Sequence, residues 1–363
     1  MKNTLQDILI FHCSEYPEME LQDYIKLIYQ NEFGSGHMIS NVYDSELFLK
    51  SEYEEILKEE SRGENSSFIE SIGNHLCRVY LNPAKITFDF LPMLNSLFVA
   101  TANTHKGSMP EFQRKVSLLH EMAATGLLPL KEETVKSYLK EYFSLGCPPM
   151  HHSKTYREKY NPHYRVIKML YAFYFPVFQS IQELENKDKR VIIGIDGRCG
   201  SGKTILADLL SEVFSCNIFH MDDFFLPNSL CTEERLSRPG WNIDYERFVK
   251  EVMDPLSKGR DVCFQPFNCI TQKFDRPIRK SPKFISVIEG SYSFHPILSD
   301  FYDLKIFLTC SKEIQKKRLL NREGEEKLHH FLERWIPMEE YYFSTYNIEN
   351  NCNLKLDTTD FCG

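Results

Sequence analysis

No two cysteines in this chain have the C-x-x-C spacing, and the 11 present form no compact framework. In 363 residues that reads as free thiols in a reducing compartment, not as a disulfide scaffold. A long apolar run is lacking too. The most hydrophobic stretch, Val166 to Ile181, is broken by Lys168 and Pro176 and falls short of the ~18 residues a membrane span needs. It is expected to be a buried helix kinked near Pro176, and no membrane partner is expected. The opening MKNTLQDILIFHCSEYP has neither the charge pattern nor the apolar length of a signal peptide or anchor, so a cytoplasmic location is expected. Positive charge is scarce: 43 Lys and Arg face 51 Asp and Glu, a net −8. Such a chain repels nucleic-acid backbones, so nucleic acid is not an expected partner. Internal repeats and low-complexity tracts are missing, and the 42% hydrophobic and 26% charged residues are ordinary globular composition.

What is present divides into two parts. The charged segment Glu185–Arg190 separates a helical pattern from the apolar run Val191-Ile-Ile-Gly-Ile, which predicts domains over 1–185 and 190–363. The first is predicted to be mostly α-helical. Leu21, Tyr24, Ile25 and Ile28 recur at helical spacing, and helices are expected over Pro110–Ala124 and Lys131–Leu145, with loops at Gly34–His37 and Thr101–Ser108. The second alternates short apolar runs, at 191–196, 217–220, 284–289 and 304–309, with amphipathic ones, at 203–214, 245–256, 312–321 and 328–341. That alternation predicts an α/β domain with a parallel sheet flanked by helices, its ligands at the carboxyl ends of the strands.

The sharpest signal is Gly197-Arg198-Cys199-Gly200-Ser201-Gly202-Lys203-Thr204, a complete G-x-x-x-x-G-K-[ST] between an apolar strand and a helix. A loop wrapped around a polyphosphate must turn its N–H groups inward. Glycines allow those dihedrals and leave no side chain in the way. The following helix adds positive potential at its N-terminus. Lys203 is expected to reach the β- and γ-phosphates and Thr204 to give Mg²⁺ a hydroxyl, so ATP and Mg²⁺ are the expected cofactors.

Two further patterns fit phosphoryl transfer. His220-Met-Asp222-Asp223 puts carboxylates at the carboxyl end of a strand, where one could take a hydroxyl proton and help organise Mg²⁺; the alternative is a helix cap or solvated turn. Glu289, ending the buried pattern Ser286–Glu289, is the candidate second acidic group near Mg²⁺ or its water shell, against a plain strand-ending glutamate. Arg318 and Arg322, four apart on one helix face before Gly324, suit the charge that grows on a transferring phosphoryl; the alternative is a solvated basic face.

The motifs GIDGRCGSGKT, MDDFF, NIDYERF, VIEGSYS and RLLNREG, in this order from about Arg190 to Thr359, resemble the uridine kinase, phosphoribulokinase and pantothenate kinase group. The resemblance implies a P-loop kinase with Mg-ATP as donor and a small hydroxylated metabolite as acceptor. It also implies roles: Asp222 as base, Asp244 as the carboxylate gripping the acceptor's hydroxyls, Arg318 and Arg322 as lid arginines. Asp223, Arg247 and Glu289 join Asp244 on the acceptor side, and Thr204, Asp222 and Glu289 form the metal set. One stretch departs from the pattern. Where uridine kinases hold the base with Tyr and His, this chain has Phe267 and Gln272, so uridine specificity is not expected.

The first half resembles no family. Its densest polar segment, Pro148 to Arg165, carries His151, His152 and His163 and could bind an anion, hold a metal, or be a hydrogen-bonded structural loop; His37 after Gly34-Ser-Gly is a second candidate turn. Besides a kinase, the sequence allows a nucleotide-gated regulatory ATPase controlling the histidine-rich domain, or a bifunctional enzyme. A homodimer is left open.

Overall fold

All residues from Val191 to Gly197 are buried, as are those from Ile285 to Glu289. Strands apolar on both faces can only sit inside a sheet covered by helices on both sides. The computed structural model, which describes residues 4–36, 41–58, 68–185 and 189–361, divides into two compact units, Met1–Phe175 and Pro176–Gly363.

The first unit contains, in chain order, helices α1 (Leu5–Glu15), α2 (Leu21–Phe33) and α3 (Val42–Lys58), strands β1 (Ile69–Gly73) and β2 (Leu76–Tyr80), helices α4 (Leu91–Thr104), α5 (Met109–Ala124), α6 (Glu132–Ser144) and α7 (Lys154–Tyr160), strand β3 (Tyr164–Lys168) and the single turn α8 (Met169–Phe173). Thr4 and Asp7 form a capping box that starts α1. The apolar stripe of α2, with Tyr24, Ile25, Leu27 and Ile28, forms one core with α1, α5 and α6. The three strands pair antiparallel in the order β1-β2-β3. Asn74 and His75 turn the hairpin with positive φ (51° and 60°), as a tight two-residue turn requires.

Two expectations fail here. Val166–Ile181 is not one kinked helix. Val166 and Ile167 belong to β3, whose pairing with β2 outweighs the helical spacing; β-branched residues suit that pleat. Pro176 opens a separate helix, α9 (Phe175–Glu185), where its missing N–H costs nothing. Thr101–Thr104, expected in a loop, is the last turn of α4.

The second unit is built on β4 (Val191–Gly197), β5 (Cys216–His220), three late strands and helix α10 (Lys203–Val213). Between β5 and the late strands run α11 (Glu233–Leu236), α12 (Tyr245–Phe248), α13 (Asp254–Ser257) and two small antiparallel ladders, β6 (Val262–Phe264) with β9 (Ile278–Lys280), and β7 (Phe267–Asn268) with β8 (Lys273–Phe274). Then come β10 (Ile285–Glu289), β11 (Leu304–Thr309), α14 (Lys312–Glu323), α15 (Glu325–His330), α16 (Ile336–Thr345) and β12 (Leu354–Asp357). The main sheet is parallel, in the order β12-β11-β4-β10-β5. This five-stranded parallel sheet flanked by helices is the α/β architecture that the alternating apolar and amphipathic runs predict.

The expected helices 245–256 and 328–341 are each interrupted by a π-helical turn, Val249–Met253 and Phe331–Trp335. Pro255 and Pro337 follow at the start of the next segment. A proline cannot donate to the carbonyl one turn back, and the wider turn absorbs the misfit. At the free border of the sheet, outside β5, Lys283 Nζ donates to Cys216 O (2.9 Å), Lys280 Nζ to Ile218 O, and Asn217 to Ser281 O (2.8 Å). No helix among the described residues is long and apolar enough to cross a membrane, and the ten described cysteines are unpaired thiols.

Candidate active site

β4 delivers the chain into the loop Gly197–Thr204, and α10 begins at Lys203. Gly197 has φ 140°, and a Cβ on it would lie 1.9 Å from Leu308 O, so the turn must pass against the β11 backbone. Gly202 has φ 95°, but a Cβ there would meet nothing within 4 Å. The first glycine is fixed by packing. The second leaves an open cradle in front of a helix N-terminus, the arrangement that receives phosphate.

The back of the loop is gripped. Cys199 N–H donates to Glu339 (3.0 Å), Gln315 Nε2 donates to Cys199 O (2.9 Å), Arg318 to Gly200 O (3.1 Å) and Thr358 Oγ1 to Ser201 O (2.9 Å). Beneath it, Asp196 is fully buried and accepts from Gly197 N–H, Phe294 N–H and the Tyr342 hydroxyl at 2.7–2.9 Å. Burial pushes its carboxyl up to about 6 although those bonds and Lys203 favour the anion.

Lys203 Nζ donates to Gly197 O (2.8 Å), Arg198 O (3.2 Å) and Ser291 Oγ (3.3 Å). The Thr204 hydroxyl lies 3.4 Å from both oxygens of Glu289. The parallel register sets Glu289 level with His220 on β5 and Ile195 on β4, and His220 Nδ1 meets Glu289 Oε1 at 2.6 Å. That bond to Glu289 raises the His220 pKa against the effect of burial. The next turn carries Asp222, whose side chain is open to solvent yet walled by protein, and Asp223. Both carboxyls are raised, Asp222 by desolvation and then Glu289, with Lys203 and His220 opposing, and Asp223 by desolvation against His220 and Lys280. Thus Lys203, Thr204, Glu289 and Asp222 form one mixed-charge cluster at the carboxyl ends of β4, β5 and β10.

Asp244 caps α12, accepting from Arg247 N–H (3.1 Å). The Arg247 guanidinium reaches Asp223 O (2.9 Å) and Gln265 O (2.5 Å) and lies over the rings of Phe224 (4.3 Å) and Phe274 (5.0 Å). Arg247 therefore braces the Asp223 turn against the β7–β8 ladder. Phe267 packs on Phe274, and the Gln272 amide is spent on Asn228 N–H and Cys269 O.

Three loop and lid residues point elsewhere than the spacing suggests. Arg198 is bound by Glu340 (2.6 Å) and Glu349 (2.7 Å). Arg318 binds backbone: besides Gly200 O it holds Thr358 O (2.6 Å) and Phe361 O. Arg322 is largely exposed, bonded to Glu323 (2.9 Å). The Cys199 thiol is buried and its pKa is raised by burial. Asp196, Ser291, Gln315 and Glu339 were not foreseen; of these, Asp196 and Ser291 lie inside motifs that were.

In the first unit, His152 is buried, bonded to Asp23 (2.8 Å) and the Tyr164 hydroxyl (2.7 Å) and stacked on Tyr156. Burial holds it down to about 3. His163 and Arg165 both bind Glu52 (2.5 and 2.8 Å). Only His151 of the three is exposed. The segment is a hydrogen-bonded structural network; His37 lies outside the described residues. Among the described residues no three His, Cys, Asp or Glu side chains converge as a metal cage.

No protein-family profile matches the chain. It is 25% identical over 188 residues to nicotinamide riboside kinase of Saccharomyces cerevisiae, covering 45% of this chain and 76% of that protein. It is 24% identical over 160 residues to uridine kinase-like protein 3 of Arabidopsis thaliana, covering 41% of this chain and 34% of that one. Among solved structures, a possible uridine kinase from Bacillus stearothermophilus matches with 21% identity and a TM-score of 0.38, over 50% of this chain and all of that chain.

Proposed function

From a carboxy-terminal half related in sequence to nicotinamide riboside kinase and uridine kinase-like proteins, that is, to small-molecule kinases, we propose that this protein transfers the γ-phosphoryl group of ATP to a hydroxyl of a small metabolite. The observation that carries the reading is the cluster of Lys203, Thr204, Glu289 and Asp222 beside the open cradle at Gly202. The loop amides and Lys203 hold the β- and γ-phosphates. The Thr204 hydroxyl, with the Glu289 and Asp222 carboxylates behind it, fits a hard cation that keeps several waters. Mg²⁺ bound there would screen the phosphate charge. Asp222, made more basic by desolvation and by Glu289, takes the acceptor's proton. The acceptor oxygen then bonds to the γ-phosphorus, the bond to the β–γ bridging oxygen breaks, and ADP leaves. Arg322, on the solvent side, would leave its ion pair with Glu323 and swing to the transferring group when a lid closes.

The acceptor lies along Asp223, Asp244 and Arg247. The packed Phe267 ring and the internally bonded Gln272 amide supply no pair of donors for a nucleobase, which supports an acceptor other than uridine.

The test is an ATP-consumption screen of the purified protein against nucleosides, sugars, polyols, hydroxy-amino acids and vitamin precursors. Lys203→Ala should abolish transfer. Asp222→Asn should cut turnover by about 100-fold or more with Mg-ATP affinity nearly kept. Full turnover in Asp222→Asn would remove it as the base. Absence of Mg²⁺-dependent ATP binding in the unaltered protein would end the reading.

A further inference from the structure

The turn after β10 has positive φ at two positions. Gly290 has φ 137°, and a Cβ on it would come within 2.8 Å of Met221 Cβ. Two residues on, Tyr292 takes φ 73°, a conformation that a bulky side chain adopts only under compulsion from its surroundings. Those surroundings are clear: Tyr292 is 3% exposed, its carbonyl accepts from the Tyr245 hydroxyl (3.2 Å), and its ring packs against Tyr342.

Between these two residues lies Ser291. Its Oγ is 3.3 Å from Lys203 Nζ and 2.5 Å from Glu339 Oε1. Glu339, on α16, is 5% exposed, and its second oxygen accepts the Cys199 N–H of the phosphate loop (3.0 Å). One buried carboxylate therefore touches both a loop amide and, through one hydroxyl, the loop lysine.

The donors can be counted. An ionised carboxylate only accepts, so the single proton of Ser291 must point to Glu339. The lone pairs of Ser291 are then turned to Lys203, which donates. The three N–H bonds of the ammonium are divided among Gly197 O, Arg198 O and Ser291 Oγ. The carbonyl pair holds the lysine on the loop, and Ser291 holds it from the other strand.

We propose that Ser291 and Glu339 are a positioning pair for the phosphate grip: Glu339 fixes the Cys199 peptide and orients the Ser291 hydroxyl, and that hydroxyl aims Lys203. The inference rests on Lys203 binding phosphate, as in the function proposed above. Neither residue touches the reacting atoms. Glu339→Gln should be as harmful as Ser291→Ala. Once the Gln carbonyl has taken Cys199 N–H, its amide nitrogen becomes a donor facing Ser291, and the hydroxyl loses the acceptor that fixed its proton and so its lone pairs.

The experiment is calorimetric titration of the full-length protein with Mg-ATP and, as a control, AMP, together with thermal unfolding. Ser291→Ala and Glu339→Gln should each weaken Mg-ATP binding about tenfold, the scale of one charge-assisted hydrogen bond. The double variant should be little worse than either single one, since both break the same relay. Ser291→Thr, which keeps the hydroxyl, should bind like the unaltered protein, and AMP affinity should not move. Unchanged Mg-ATP affinity in the variants overturns the inference. So does weakened binding that Ser291→Thr shares or that falls equally on AMP, because that marks general loosening. If the unaltered protein binds no Mg-ATP, the kinase reading itself fails first, which separates the two failures.

Discussion

Gly197 and Gly202 occupy the same loop for opposite reasons, and substitution should separate them. Alanine at Gly197 must push its methyl into the Leu308 carbonyl. That should cost several kcal/mol, on the order of 3 or more, and show as a loss of folded protein in thermal unfolding. Alanine at Gly202 has room and carries only the strain of φ 95°, about 1 kcal/mol. It should fold, yet weaken Mg-ATP binding markedly because its methyl occupies the cradle; calorimetry alongside a melting curve distinguishes the two. Residues of this kind were legible in the sequence because the loop is local, eight consecutive positions with a fixed pattern. Ser291 and Glu339 were not. Ser291 reaches Lys203 across 88 residues, and Glu339 reaches Cys199 across 140. A serine and a glutamate carry no sign of such a partner until the strands are stacked.

At the scale of elements, the central strands could be read because continuous apolar runs have one outcome, burial on both faces. β3 and β12 could not. Val166 and Ile167 sit in a stretch whose spacing also suits a helix, and only the neighbouring β2 decides between them. Leu354 to Asp357 is a four-residue border strand, with exposed Lys355 and Asp357 alternating with half-buried leucines. Helix α14 carries the element-level prediction. Arg318 ties the loop's Gly200 carbonyl to the chain at Thr358 and Phe361, while Arg322 faces water. Arg318→Ala should lower the melting temperature by a few degrees and weaken Mg-ATP binding severalfold. Arg322→Ala should leave both unchanged and slow turnover alone, as steady-state kinetics would report.

At the scale of the whole molecule, each unit has its own large apolar cluster among the described residues, one drawn from residues between Ile8 and Val166, the other from residues between Ile192 and Ile348. Two unfolding transitions are expected, and Mg-ATP should raise only the one belonging to the second unit. Acid should act first on the other. His12 and His152 are buried, and desolvation holds them down to about 4 and about 3. Between pH of roughly 6.5 and 4 the unfolded chain takes up protons that the folded one refuses, so stability falls as pH falls, by up to about 1.4 kcal/mol per pH unit for each histidine. Denaturant melts of the first transition at stepped pH measure that slope; a flat profile would contradict the buried, neutral assignment. The lysines along the outer flank of β5 matter once many copies meet. An uncovered strand invites a stranger's strand to zip onto it, and two ammonium groups already sit on the carbonyls that such a stranger would need. Exchanging Lys280 and Lys283 for valine should therefore leave the single molecule folded but make concentrated solutions turn cloudy, a change that light scattering would register within hours.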